Sequence, residues 1–394
     1  MSGDQRISHR NMLFILHPIF ALTGIADATT GPMLPLLAQA YHLSDNQSGQ
    51  LLFCIFAGMS VGALLCRGDY ARILTSGLFG LTISCLCFPL IPRAILYPSG
   101  FFFGISVGAP MTATSLFAGR NYPLRRAATL TLLNLTWSVG AMLAPLLAAR
   151  VLAVFSWGAV YIVLGCASGL ACIVASFTIR DTIETARTTR ETTGLRNVRM
   201  VTLFALFFFL EVGMESMFGA WISTYLLRNT FLGLTLAAAA TAIYWTGFLV
   251  SRALSPLLLL RLLPNRLLRL CLSAALCAAI FLSASRSPAL LIVAILLLGM
   301  ALAPIFPVAL AAFFDRARHS SDTRFILTLS GFGGSVLPWL AGWLSSRTGS
   351  LRIGLLVGPV TLLALSAMLP LLHVSRPVSS GTTISPLNGG RKSA

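Results

Sequence analysis

Long apolar runs alternate with short, arginine-bearing polar breaks along the whole chain. The runs lie near 12–38, 46–66, 71–92, 94–119, 126–153 and 156–178. A polar stretch at 179–200 interrupts them, and six more follow near 200–227, 234–260, 266–285, 288–313, 322–346 and 350–374. A helix needs about 20 apolar residues to cross a bilayer, whereas a barrel strand needs about 10 that alternate in polarity. Lipid offers the backbone no hydrogen bonds, so helices and closed barrels are the only spanning solutions. The unbroken runs therefore predict an all-α membrane protein with twelve transmembrane helices. The first run is too long for a signal-peptide core and lacks a convincing cleavage site, so it is expected to remain as helix 1. Residues 375–394, rich in Ser, Gly and Pro, read as a disordered tail.

Composition agrees. Apolar residues make up 56% of the 394, charged residues only 10%, and the mean hydropathy is +0.85. Soluble domains carry roughly a quarter charged residues, so this chain needs lipid as part of its solvent. The eight cysteines lie in or at the ends of the runs, without CxxC or zinc spacing, and read as small buried hydrophobes.

The net charge of +17 raises the question of nucleic acid, but the arginines are dispersed between the runs and form no basic face. Their distribution sets topology instead. With the N-terminus in the cytoplasm, 21 of the 28 positive residues fall on the cytoplasmic side, five of them in the 179–200 segment, against six on the other. The positive-inside rule then puts both termini and this segment in the cytoplasm.

The two halves repeat each other. Gly104–Pro110 (GISVGAP) matches Gly299–Pro304 (GMALAP), and Ser138–Pro145 (SVGAMLAP) matches Gly331–Pro338 (GFGGSVLP). Gly62-x4-Arg67 pairs with Gly247-x4-Arg252, and Asp27-x3-Gly31 pairs with Glu215-x3-Gly219. The order is kept, with an offset of about 185 to 194 residues. A parallel 6+6 repeat around a polar linker is the layout of the major facilitator fold. The expected organisation is a six-helix bundle at 1–178, a cytoplasmic linker at 179–200, a second bundle at 201–374 and the tail. The repeated small residues would let helices approach closely and rock against one another.

Asp27, Glu211 and Glu215 lie well inside expected spans. A charge at mid-membrane costs about 2.5–3.5 kcal/mol on the lenient insertion scale, so such residues normally face a watery cavity or a partner. Glu211 and Glu215 are four apart on one helical face, where both cannot easily be charged at once. That is the property of a group that loads and unloads protons. The competing reading of each carboxyl is a hydrogen bond to a neighbouring helix. Asn134 and Trp137 in helix 5, Trp221 and Tyr225 in helix 7, and Tyr244 and Trp245 in helix 8 are candidates for substrate binding. Sugar faces stack on aromatic rings while amides and carboxylates meet hydroxyls; Trp and Tyr also mark membrane interfaces.

Several segments carry a more specific resemblance. Gly62-x4-Arg67 with Asp69 and Arg72, and Arg252 in the second half, expected at matched cytoplasmic helix ends, resemble the gating loop signature of the major facilitator superfamily. Cys66 and Ser251 stand where its acidic residue is expected. Glu215-Ser-Met-Phe-Gly219-Ala-Trp221 followed by Thr224-Tyr225 resembles the helix 7 element of the fucose–galactose–glucose:proton symporter family. LNLTWSVGAMLAP at 133–145, LAPIFPVALAAFFDR at 302–316 and GFGGSVLPWLAGWLSSRTGSLR at 331–352 agree. The resemblance implies proton coupling at Asp27 and sugar binding at Asn134. It departs at helix 4, where 101–119 has no acidic residue.

The resulting expectation is proton-coupled uptake of a small polar solute such as a monosaccharide, by alternating access, without a cofactor or resident metal. Carboxylates alone serve H⁺ and Na⁺ alike. The alternative is a proton-antiport exporter of drugs or amphipathic metabolites, which the 25 Phe residues would suit. An enzyme is not expected, because the five histidines are scattered and form no catalytic or metal-ligand spacing. The expected partners are the solute and the bilayer, with no nucleic acid, and the expected state is a monomer in a bacterial cytoplasmic membrane.

Overall fold

The computed structural model describes residues 3–122, 126–179, 198–314 and 320–372. The expected linker, apart from its first and last residues, and the expected tail lie outside the described residues. Among the described residues all regular structure is helical. The first half holds α1 (Gly3–Ala28), α2 (Thr30–Ala40), α3 (Asp45–Leu64), α4 (Tyr70–Cys87), α5 (Leu96–Asn121), α6 (Arg126–Leu152) and α7 (Trp157–Thr178). The second holds α8 (Val198–Asn229), α9 (Leu234–Arg261), α10 (Pro264–Ala284), α11 (Pro288–Leu302), α12 (Ile305–Phe314), α13 (Ser320–Thr348), α14 (Leu351–Gly354) and α15 (Val357–Leu372). Eleven stretches are long and apolar enough to cross a membrane, and α1 with α2, bent by 40°, makes a twelfth.

Local chemistry explains where helices start and break. Ser44 and Gln47 form a reciprocal capping box at α3, and the Asp69 carboxylate caps α4. Three spans expected to be continuous are broken, and one rule accounts for all three. Pro32, Pro307 and Pro359 each occupy the third position of the second piece. There a missing N–H costs nothing, but the ring collides with the carbonyl four residues earlier, at Ala28, Ala303 and Leu355. The first of these breaks falls beside Asp27.

Helix pairing repeats between the halves. In the first half α1 packs on α6, α3 on α5, α4 on α5, and α4 on α7. The second half answers with α8 on α13, α9 on α11, α10 on α11, and α10 on α15. The repeated glycines explain the closeness: a Cβ on Gly104 would fall on the Ile55 carbonyl, and one on Gly299 would fall on the Tyr244 carbonyl. The third and sixth spans of each half turn large apolar side chains outward, among them Phe79, Phe177, Phe281 and Val360. In lipid such exposure carries no hydrophobic penalty.

The halves meet along α3 with α13, α6 with α9, and α2 with α8. Chain alternation places the turns at 41–44, 153–156 and 230–233 on one face, called here the first-turn face. The 65–69 turn lies on the opposite face.

Candidate functional site

Between the halves lies a small cavity of about 40 Å³. Asp27, Thr30 and Phe56 line it from the first half together with Trp137; Glu215, Ser216 and Trp245 line it from the second. The break after Ala28 turns α2 away and leaves the Asp27 carboxyl at the bend. Glu215, its repeat equivalent on α8, faces the same space from the other half. The space admits a water or two, and a monosaccharide enters only if the lining moves apart.

Toward the first-turn face the cavity is closed by backbone. Gly31 lies so near Gly219 that an added Cβ would strike the Gly219 carbonyl. Beyond it, the Arg228 guanidinium donates two hydrogen bonds to the Asp45 carboxylate, at 2.6 and 2.7 Å. The Ser345 hydroxyl donates to the same carboxylate at 2.5 Å, and the Asn46 N–H donates to the Ser346 hydroxyl at 2.7 Å. Each of these four bonds joins the first half to the second.

Toward the opposite face the closure is thinner. The Trp137 and Trp245 rings meet edge to face, with centroids 5.7 Å apart and planes at 82°. Below them Arg252 donates to the Ser138 hydroxyl at 3.2 Å and lies over the rings of Phe248 and Trp137, at 4.3 and 5.7 Å. Arg252 was expected at a helix end; it lies inside α9, more than two turns before Arg261. It is within electrostatic reach of Glu211 and Glu215.

The other expected residues are placed as follows. Glu211 is fully buried beside the site, and neither carboxyl oxygen has a hydrogen-bond partner among the described residues. Trp221 and Tyr225 do not reach the cavity. Both are fully buried; the indole donates to the Pro338 carbonyl at 3.0 Å and the phenol to the Leu282 carbonyl at 2.7 Å. Tyr244 is also buried, its hydroxyl donating to the Glu215 carbonyl at 3.3 Å. Asn134 is exposed one turn from Ser138 and donates to the Leu130 carbonyl. Arg67 is exposed in the 65–69 turn, while Asp69 caps α4 and pairs with Arg72 at 3.0 Å. That pair stays within its own turn and does not bridge the halves.

Sequence reasoning missed Ser216, Thr30 and Phe56 in the cavity lining, and Asp45 with Arg228 at the first-turn closure. Ser216 and Thr30 each sit within three residues of a carboxylate that had been singled out. Nothing local marks Asp45 or Arg228, which are separated by 183 residues.

Comparison with known proteins fits this architecture. The family model of the Major Facilitator Superfamily matches residues 16–326. A Glucose/mannose transporter, GlcP of Bacillus subtilis (strain 168), is 21% identical over 386 residues, covering 92% of this chain and 96% of the relative. Among solved structures, the nucleoside transporter NupG superposes with a TM-score of 0.75 at 11% identity, covering 92% of this chain and 99% of its own. The E. coli fucose:proton symporter FucP does so with 0.63 at 16%, covering 93% and 99%. At such identities the structural likeness speaks for the fold alone, while the family model spans most of the chain. With twelve spans in two repeated halves closing on a shared central cavity, the chain belongs to the major facilitator superfamily and is a membrane transporter.

Proposed function

We propose that this transporter takes up a monosaccharide together with protons by alternating access. The observation that carries this reading is the pair of repeat-related carboxyls, Asp27 and Glu215, lining one small cavity from opposite halves. Loading that cavity with protons removes charge that is costly away from water. Substrate hydroxyls then meet neutral acids that both donate and accept. Release toward the opposite face lets the empty carrier reset. The sequence relative named for glucose and mannose supports a sugar as the solute. The cavity is built from one chain, so a monomer suffices. The charge count supports a cytoplasmic-membrane orientation with both termini in the cytoplasm, which makes the first-turn face extracytoplasmic.

The test is uptake into proteoliposomes under an imposed inward proton gradient, with a panel of hexoses, 6-deoxyhexoses and pentoses. Accumulation that collapses with a protonophore is expected. Asp27→Asn should abolish accumulation while leaving sugar binding in place. Accumulation by Asp27→Asn at the wild-type level refutes the proton role. If no sugar moves, the exporter reading replaces this one.

A further inference from the structure

Buried indole N–H groups almost always find an acceptor, because leaving one unpaired costs the full desolvation of the donor. This protein contains an internal reference for the rule. Trp221 is fully buried and its Nε1 donates to the Pro338 carbonyl at 3.0 Å. Trp137 and Trp245 break the rule: they are 7% and 6% exposed, both line the cavity, and neither Nε1 has a protein partner among the described residues. The hydroxyl of Thr30, a residue 5% exposed on the same wall, also has no protein partner among the described residues. Three donors without a protein acceptor thus surround a space too small for a sugar, and two of them belong to the aromatic pair that separates this space from Arg252.

The edge-to-face contact of the two rings is also a contact between halves, α6 against α9. A solute larger than the cavity can be accommodated only if these rings part. When they do, the two N–H groups can donate to solute oxygens, where the closed arrangement offers them no protein acceptor. Rings already locked edge to face, with Arg252 over Trp137, are poorly placed to stack flat on a sugar.

We infer that Trp137 and Trp245 form a solute-sensing inner gate, in which one indole from each half donates its N–H to an oxygen of a polyhydroxylated solute. The inference rests on the proposed sugar reading and deepens it. Recognition runs through ring N–H donation and not through stacking, so the gate parts for solutes that present two acceptor oxygens to opposite halves. An apolar solute of equal size gives the donors nothing and leaves the pair closed.

The direct readout is the indole ¹H–¹⁵N spectrum of the protein in lipid nanodiscs, assigned by single Trp→Phe variants. It is recorded with and without D-glucose, D-mannose, L-fucose or D-xylose, beside uptake of the same sugars. For a transported sugar the Trp137 and Trp245 N–H resonances should move downfield while that of Trp221, already bonded, stays in place. Trp137→Phe and Trp245→Phe should each raise KM about tenfold, the worth of one hydrogen bond, and change kcat less. A sugar that is transported while both resonances stay fixed overturns the gate inference and leaves the sugar reading standing. If no sugar is transported and no indole responds, both fall together.

Discussion

The closure on the first-turn face offers a quantitative test of how the two halves are held. Asp45 on α3 receives two bonds from Arg228 on α8, and its side chain is 13% exposed against 43% for the arginine. A fully exposed ion pair contributes about 0.2–1 kcal/mol. Bidentate, charge-assisted geometry roughly doubles the strength of each bond, and the carboxylate here is largely withdrawn from water. The arginine side chain remains 43% exposed, which holds the coupling to about 2 kcal/mol. Because 1.4 kcal/mol is a tenfold change, loss of the pair should shift the closed-to-open ratio of this face roughly thirtyfold toward open. The perturbation is a double-mutant cycle of Asp45→Asn, Arg228→Gln and the two combined. Nitroxide labels at His42 and Phe231, in the exposed 41–44 and 230–233 turns, would report the separation of the halves by pulsed dipolar distances. Each single variant should populate a longer distance, and the double variant should add little further. Raising ionic strength should shrink the coupling, since the arginine is partly in solvent. Fully additive single effects, or unchanged distances in both single variants, would refute the assignment of this pair as the latch.

Other positions give sharper yes-or-no outcomes. Gly31→Ala places a Cβ on the Gly219 carbonyl and should cut uptake at least tenfold, whereas Gly233→Ala, with open space around it, should leave uptake unchanged; wild-type uptake by Gly31→Ala would show that this closure is not needed. Trp221→Phe and Tyr225→Phe each remove one buried hydrogen bond and should lower thermal stability by about 1 kcal/mol without altering the KM for sugar, measured by thermal unfolding in detergent beside uptake. A KM change without a stability loss would return these residues to the substrate site. Glu211→Gln keeps the shape and removes a group whose charged form is costly where it has no hydrogen-bond partner among the described residues. Its melting temperature should equal or exceed that of wild type, and a fall of several degrees would mean that Glu211 makes a bond this arrangement does not show.

Much of the architecture is legible in the linear chain. Spanning helices are local objects, set by run length and by the need of every backbone group to bond within its own segment. The paired halves are legible for the same reason: Asp27-x3-Gly31 and Glu215-x3-Gly219 carry their likeness in the letters. The helix breaks are legible only in part: Pro32, Pro307 and Pro359 act on a carbonyl four residues away, yet Pro110, Pro145, Pro256 and Pro338 lie inside unbroken helices.

The site is legible only in part. Asp27, Glu215, Trp137 and Trp245 stand out as polar or aromatic groups within apolar runs, and all four line the cavity. Trp221 and Tyr225 have the same sequence character, yet they are spent on the Pro338 and Leu282 carbonyls. A helix exposes every direction in turn, and only its neighbours decide which side chains face a cavity and which face a carbonyl. The same limit hides the latch and the inner gate. Asp45 meets Arg228 across 183 residues, and Arg252 reaches Ser138 across 114. Sequence by itself determined the number of spans, their pairing into halves and the charges that cannot rest in lipid, because each follows from local chemistry. Tertiary structure alone decided which of those polar groups share a cavity and which hold it shut, because that depends on how two rigid bundles dock.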